Sequence, residues 1–233
     1  MTGGDPNRGP VVVTGGSAGI GYALASHLHG QGFAVLATGR RPDCAASFDY
    51  DQLDMMSDRL TQDVDDLLDR QGWGTLDTLV LNAGLGHVGP VAQTPSDLAD
   101  TLMRVNVTAP LELAHHLATR VTRRIVFVGS VAHKGPHPDF AIYAATKAAL
   151  RGAVRSWQAE ASHDAPFVQM IHPGPTESDM HDRAGLPDTP MRRLFTPAHV
   201  VARAMAKAMR TNRAEVRFGL GFTLRHAVGK LIT

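Results

Sequence analysis

A chain of 233 residues, 43% of them hydrophobic and 19% charged, can bury a core without a metal or disulfide staple, and its 23 glycines and 14 prolines are too few for a fibrous or disordered sequence. The formal net charge of +1 sets up no field toward nucleic acid or an anionic membrane, so neither is an expected partner. The single Cys44 excludes an internal disulfide and suits a reducing cytoplasm, and no apolar stretch approaches the length of a membrane-spanning helix.

In chain order, residues 1–9 are polar and Gly-rich and are expected to be a flexible N-terminus ahead of a single domain over 10–233. Val11-Val12-Val13 predicts a buried strand ending in a Gly-rich turn, and Gly19 to Gly30 a helix with Ile20, Leu24 and Leu28 on one face. Phe33 to Ala37 predicts a second strand and Phe48 to Leu53 a short third one. Ser57 is placed to cap a helix running to about Arg70, with Leu60, Val64, Leu67 and Leu68 facing inward. Strands follow at Thr78 to Leu81, Ile125 to Val128 and Phe167 to Ile171, separated by helices at Ser96 to about Ala118 and Ala141 to Ala161. Thr196 before Pro197 predicts an N-cap with proline at the first helical position, opening a helix to about Arg210, and Glu215 to Phe218 a last strand. Apolar strands alternating with helices imply a doubly wound parallel sheet in an α/β fold, covered on both faces.

Thr14-Gly15-Gly16-Ser17-Ala18-Gly19-Ile20-Gly21 falls between the first strand and the first helix. Glycines there let the backbone turn sharply and approach a pyrophosphate set against the helix N-terminus, so Gly15, Ser17, Gly19, Ile20 and Gly21 are cofactor-binding candidates. An NAD site would usually carry an acid at the end of the second strand; here Gly39 stands in that place, followed by Arg40 and Arg41. Guanidinium forks suit a 2′-phosphate, so NADP is expected over NAD.

Tyr143 and Lys147 lie at i and i+4, so both leave the same face of a helix. A phenol exchanges its proton poorly at neutral pH, and a nearby ammonium is expected to lower its pKa. Ser130 follows the strand Ile125 to Val128, at the C-terminal end of a strand, where open α/β sheets hold their ligands. There it is placed to hold a substrate oxygen while Tyr143 protonates it. His133 and His137 are separated by Gly135 and Pro136 and make no helical metal pair, and no metal site is expected.

With these motifs in this order, the sequence resembles the short-chain dehydrogenase/reductase family, in its compact single-domain branch, from Val11 to about Gly219. Asn82-Ala83-Gly84, Asn106 and Pro173-Gly174 join the glycine loop, Ser130 and Tyr143-x-x-x-Lys147 in the family's order. The resemblance implies a three-layer Rossmann-like αβα fold and a tetrad of Asn106, Ser130, Tyr143 and Lys147, with Asn106 holding a water that relays protons through Lys147. It further implies cofactor contacts at Asn82, Ala83, Gly84, Tyr143, Lys147, Pro173, Gly174, Thr176 and Ser178. For the adenine-contacting acid, Asp54 with Met55 fits better than Asp63 with Val64, because it leaves room for the following helix. That choice shortens the connection between strands two and three to about Arg41–Ser47, with no full helix.

The implied activity is NADP-dependent interconversion of a carbonyl and an alcohol, as in an alcohol dehydrogenase or carbonyl reductase. Substrate walls are expected from Leu85, His87, Ser130, Ala132, Phe140, Tyr143, Pro175 and Met180, with Met191 to Phe195 as a lid. The alternative is a catalytically silent NADP-binding regulatory or scaffold protein. A homodimer or homotetramer is expected, and the amphipathic tail from Leu220 to Thr233 (Phe222, Leu224, Val228, Leu231) is placed either to pack on a neighbour or to cover its own subunit.

Overall fold

A computed structural model describes residues 9–135, 138–162, 164–186, 188–219 and 222. The expected alternation is present. β1 (Val11–Thr14), β2 (Val35–Gly39), β3 (Asp49–Gln52), β4 (Leu76–Leu81), β5 (Val121–Val128), β6 (Phe167–His172) and β9 (Glu215–Arg217) form one parallel sheet in the order β3-β2-β1-β4-β5-β6-β9. β7 (Thr176–Glu177) and β8 (Thr196–Pro197) pair as a separate two-stranded ribbon.

Helices cover both faces, as a parallel sheet of apolar strands requires. On one side α2 (Leu60–Gln71), α4 (Ala109–Leu117) and α5 (Ala141–Glu160) close over a core that includes Leu79, Phe127 and Leu113. On the other, α1 (Gly19–Gly30) and α7 (Ala198–Ala208) pack on Val11, Val13, Val80 and Ile171. The connection between β2 and β3 contains no helix, as expected from the choice of Asp54.

Four local expectations are corrected. α2 begins at Leu60 rather than at a Ser57 cap. The Ser57 hydroxyl instead donates to Asp63 Oδ2 (2.5 Å) and accepts from the Arg59 amide (3.1 Å), a turn ahead of the helix. Thr196 is not the N-cap of α7: its amide donates to the Pro175 carbonyl (3.0 Å), which draws Thr196–Pro197 into strand pairing, and the helix starts at Ala198. β2 starts at Val35 because the Phe33 amide is spent on the Leu28 carbonyl, closing α1. The long helix from Ser96 is interrupted: α3 (Ser96–Met103) passes through a π-turn at Arg104–Thr108 before α4.

Phe222 packs against Phe218, with ring centres 5.0 Å apart. The other tail positions, Leu224, Val228 and Leu231, lie outside the described residues, as do residues 1–8 and His137. Among the described residues, no helix is long and apolar enough to cross a membrane.

Candidate active site

The glycine loop is built by contacts that leave no room for a side chain at Gly15, Gly16 or Gly21. Gly15 and Gly19 have positive φ (68° and 56°), which glycine adopts without strain. A Cβ on Gly21 would fall 2.3 Å from the Gly15 carbonyl oxygen and 2.4 Å from Asn82 Nδ2. Asn82 is in turn the clasp of the loop: its Nδ2 donates to the carbonyls of Thr14 (3.0 Å) and Gly15 (3.2 Å). The Thr14 hydroxyl accepts from the amides of Asn82 (3.0 Å) and Ala83 (3.1 Å), tying the end of β4 to the end of β1. α1 carries no acidic residue in its first turn and no side-chain cap, so its N-terminus keeps the positive end of the helix dipole uncompensated. Ile20 packs against the α1–α7 core, and Ser178, at the N-cap of α6 (Asp179–Arg183), lies 3.3 Å from where a Gly19 Cβ would be.

Arg40 and Arg41 are exposed at the end of β2. Arg41 donates to the Ser17 carbonyl (3.4 Å) and faces Asp179 at 3.8 Å. A groove of about 500 Å³ lined by Ser17, Ala18, Gly19, Tyr22, Arg41, Asp43, Cys44, Ala45 and Asp179 runs beside the loop. A second, of about 800 Å³, continues from Gly19, Tyr22 and Asp179 between α1, α6 and α7. Asp54 lies just past β3 and accepts from the Met56 amide (3.0 Å), whereas Asp63 belongs to the first turn of α2. The Met55 side chain is turned into the core.

Ser130, Tyr143 and Lys147 meet away from those two grooves, where β5 ends against the first turns of α5. Tyr143 is buried and hydrogen-bonded to Ser130, whose Oγ also accepts from the Ala132 amide (3.1 Å). Lys147 Nζ lies over the Tyr143 ring, 5.7 Å from its centre, and within 3.4 Å of the Val128 carbonyl. Burial holds the phenol above its ordinary value, against the Ser130 hydrogen bond, and pushes Lys147 down to about 8. The expected lowering of the phenol is therefore corrected. The ammonium sits over the ring, in surroundings that disfavour either charged form, and desolvation wins.

Asn106 is buried in the π-turn, a helical irregularity that recurs at functional sites. Its Oδ1 accepts from the Leu85 amide (2.8 Å), and its Nδ2 donates to the Leu85 carbonyl (2.9 Å) and to Thr146 Oγ1 (3.1 Å). These partners fasten the segment after β4 to α5, and Gly84 lies between Asn106 and Lys147.

The expected substrate wall is partly assembled. Phe140 meets the Tyr143 ring edge-on with centres 6.5 Å apart. Met180 lies against Gly86, and the Val88 amide donates to the Ala184 carbonyl (2.8 Å), so α6 rests on the segment after β4. His87 Nε2 is 3.2 Å from Thr94 Oγ1. Pro173 accepts from the Val131 amide (3.2 Å) and Pro175 from Thr196. The Thr176 side chain is buried and donates to the Gly174 carbonyl (2.9 Å), so its hydroxyl is already committed. At the expected lid, Arg192 pairs with Asp182 at 2.6 Å.

One cluster is not evident from the sequence. His133, His172 and Glu215 each offer a ligand-type atom, all within 4.8 Å of one another. Both histidines approach the Ser130 carbonyl through Nδ1, His172 at 3.2 Å, and His172 Nε2 reaches Glu215 at 2.8 Å without hydrogen-bond alignment. The Glu215 carboxylate is already occupied by Arg151 (2.7 and 3.2 Å) and Arg217 (2.6 Å), so the group reads as a brace behind Ser130. These residues lie on different elements far apart in sequence, and only the sheet order brings them together.

The pattern of the short chain dehydrogenase family matches residues 10–187. The chain belongs to the short-chain dehydrogenase family. A short-chain dehydrogenase/reductase named FrzI, from Cladobotryum sp, is 30% identical over 185 residues, 72% of this chain and 71% of its own. The 3-oxoacyl-[acyl-carrier-protein] reductase MabA of Mycobacterium tuberculosis is 29% identical over 204 residues, 82% of this chain and 81% of its own. The solved structure of BdcA in complex with NADPH is 26% identical, superposes with a TM-score of 0.76 and covers 90% of this chain and 92% of its own. Membership makes this short-chain dehydrogenase an oxidoreductase by family.

Proposed function

We propose that this protein is an NADP-dependent alcohol dehydrogenase or carbonyl reductase, with Tyr143 as acid in reduction and base in oxidation. The observation that carries the reading is the buried Ser130–Tyr143 hydrogen bond with the Lys147 ammonium over the same ring. The glycine loop fits a dinucleotide because the space a side chain would fill at Gly15 and Gly21 is closed by backbone and by Asn82, leaving bare main chain at the α1 N-terminus. Arg40 and Arg41 supply forks for a 2′-phosphate, and BdcA, a relative in structure, binds NADPH.

When bound, NADPH supplies the hydride. Ser130 holds the substrate oxygen by its hydroxyl, and the Tyr143 hydroxyl gives that oxygen its proton as the carbonyl becomes an alcohol. The Lys147 ammonium stabilises the phenolate left behind. General acid catalysis of this kind contributes roughly 10²–10⁴-fold. Asn106 acts by position: with its side chain spent on Leu85 and Thr146, it holds Gly84 and α5 at the spacing Lys147 needs. The wall of Leu85, Phe140 and Met180 suits a medium-sized, largely apolar carbonyl compound. We place the protein in the cytoplasm, where a free Cys44 stays reduced, as a homodimer or homotetramer.

The test is consumption of NADPH and of NADH with a panel of aldehydes, ketones and β-ketoacyl thioesters. The reading expects turnover with at least one class, faster with NADPH. Tight NADPH binding with no turnover across the panel would favour the silent regulatory protein instead.

A further inference from the structure

We propose that Tyr50 and Gln52, on edge strand β3, are specificity-determining positioning residues that set the Arg40–Arg41 pair for a 2′-phosphate. The inference rests on the NADP reading above and assigns a source for the preference that the arginines alone do not explain.

An arginine at the end of a strand is a long, mobile fork, and its value to a phosphate depends on where its backbone is held. No helix links β2 to β3, so the two arginines open a loop with no helical support. β3 supplies that support. The Tyr50 hydroxyl donates to the Arg41 carbonyl (2.8 Å), and Gln52 Nε2 donates to the Arg40 carbonyl (2.9 Å). Both come from one face of the strand at alternate positions, and the Leu53 amide continues the ladder to the Gly39 carbonyl (2.9 Å).

Tyr50 also reaches across to the glycine loop. Its side chain hydrogen-bonds Ser17, and a Cβ on Gly39 would lie 2.9 Å from both the Tyr50 hydroxyl and Ser17 Oγ. The volume where an acid would greet a ribose hydroxyl is thus filled by two neutral hydroxyls. The Arg41 guanidinium bridges to the Ser17 carbonyl on the other side. The arrangement removes the group that favours NAD and fixes the groups that favour NADP in one set of contacts.

The experiment is equilibrium binding of NADPH and NADH to the full chain, as wild type, Tyr50→Phe, Gln52→Ala and Arg41→Ala, and as the double variant Tyr50→Phe/Arg41→Ala. Tyr50→Phe removes one oxygen and keeps the ring that packs beside β2. The expected result is an NADPH affinity about 3–10-fold weaker in Tyr50→Phe, the scale of one hydrogen bond, with NADH affinity within about twofold of wild type. The loss in the double variant is expected to be smaller than the sum of the singles, because Tyr50 acts through Arg41. An unchanged NADPH-to-NADH ratio in both Tyr50→Phe and Gln52→Ala overturns the inference, as does equal weakening of both cofactors. A wild type that binds the two cofactors equally instead removes the NADP reading on which it stands.

Discussion

Lys147 Nζ lies over the Tyr143 ring, 5.7 Å from its centre, and both side chains are buried. Burial raises the phenol and brings the ammonium down to about 8, so at neutral pH the pair stands as phenol and ammonium. That state can donate a proton but must lose one before it can accept. Carbonyl reduction is therefore expected to be flat through neutral pH and to fall in alkali, while alcohol oxidation rises with pH. Parallel pH profiles of kcat/KM in the two directions check this; profiles that move together count against it.

Asn106→Ala leaves the Leu85 amide and carbonyl without their side-chain partners. Each buried group left unpaired costs about 1–3 kcal/mol, and the melting temperature of a chain this size moves about 2–4 °C per kcal/mol. A drop of at least about 4 °C, with turnover lost, is expected by calorimetry and assay.

The glycines separate into tight and open positions. Gly21→Ala puts a methyl group 2.3 Å from the Gly15 oxygen and is expected to abolish NADPH binding and to destabilise the fold. Gly152→Ala, inside α5 with nothing within 4 Å, is expected to stabilise by about 1 kcal/mol and to leave binding unchanged. Thermal melts and cofactor titration of the two variants check both signs.

The brace behind Ser130 predicts loss of stability in acid. Burial, and then His133, take His172 from 6.5 down to about 4, so below 6.5 the unfolded chain gains a proton that the folded one refuses. Its hydrogen bond with Arg151 holds Glu215 down at about 2 from 4.5, despite burial, so that contribution is present above 4.5 and is lost as pH falls toward 2. Both act in the same direction. The melting temperature is expected to fall from pH 6.5 to pH 4 in wild type and less steeply in His172→Asn, measured by pH-resolved melts.

Much of the fold and of the site is legible in the amino-acid sequence, and the reasons are local. Val11 to Val13 and Leu79 to Leu81 are apolar throughout because a doubly covered strand needs no polar face, and the glycine loop is written in consecutive residues. Tyr143 and Lys147 share a helix, so their spacing alone puts them side by side. What the sequence hides depends on long-range pairing. The π-turn at Asn106 leaves the apolar spacing of the helix intact, and the Thr196 amide is captured by Pro175, twenty-one residues earlier. The partners of His172 and Arg40 sit on strands whose order sequence periodicity does not fix.

The most direct test is Tyr143→Phe, which deletes a single oxygen from a buried ring. The account predicts NADPH binding within about threefold of wild type and turnover reduced by at least about 10²-fold on whichever carbonyl the wild type reduces. A variant that binds NADPH and reduces that carbonyl at the wild-type rate would contradict it.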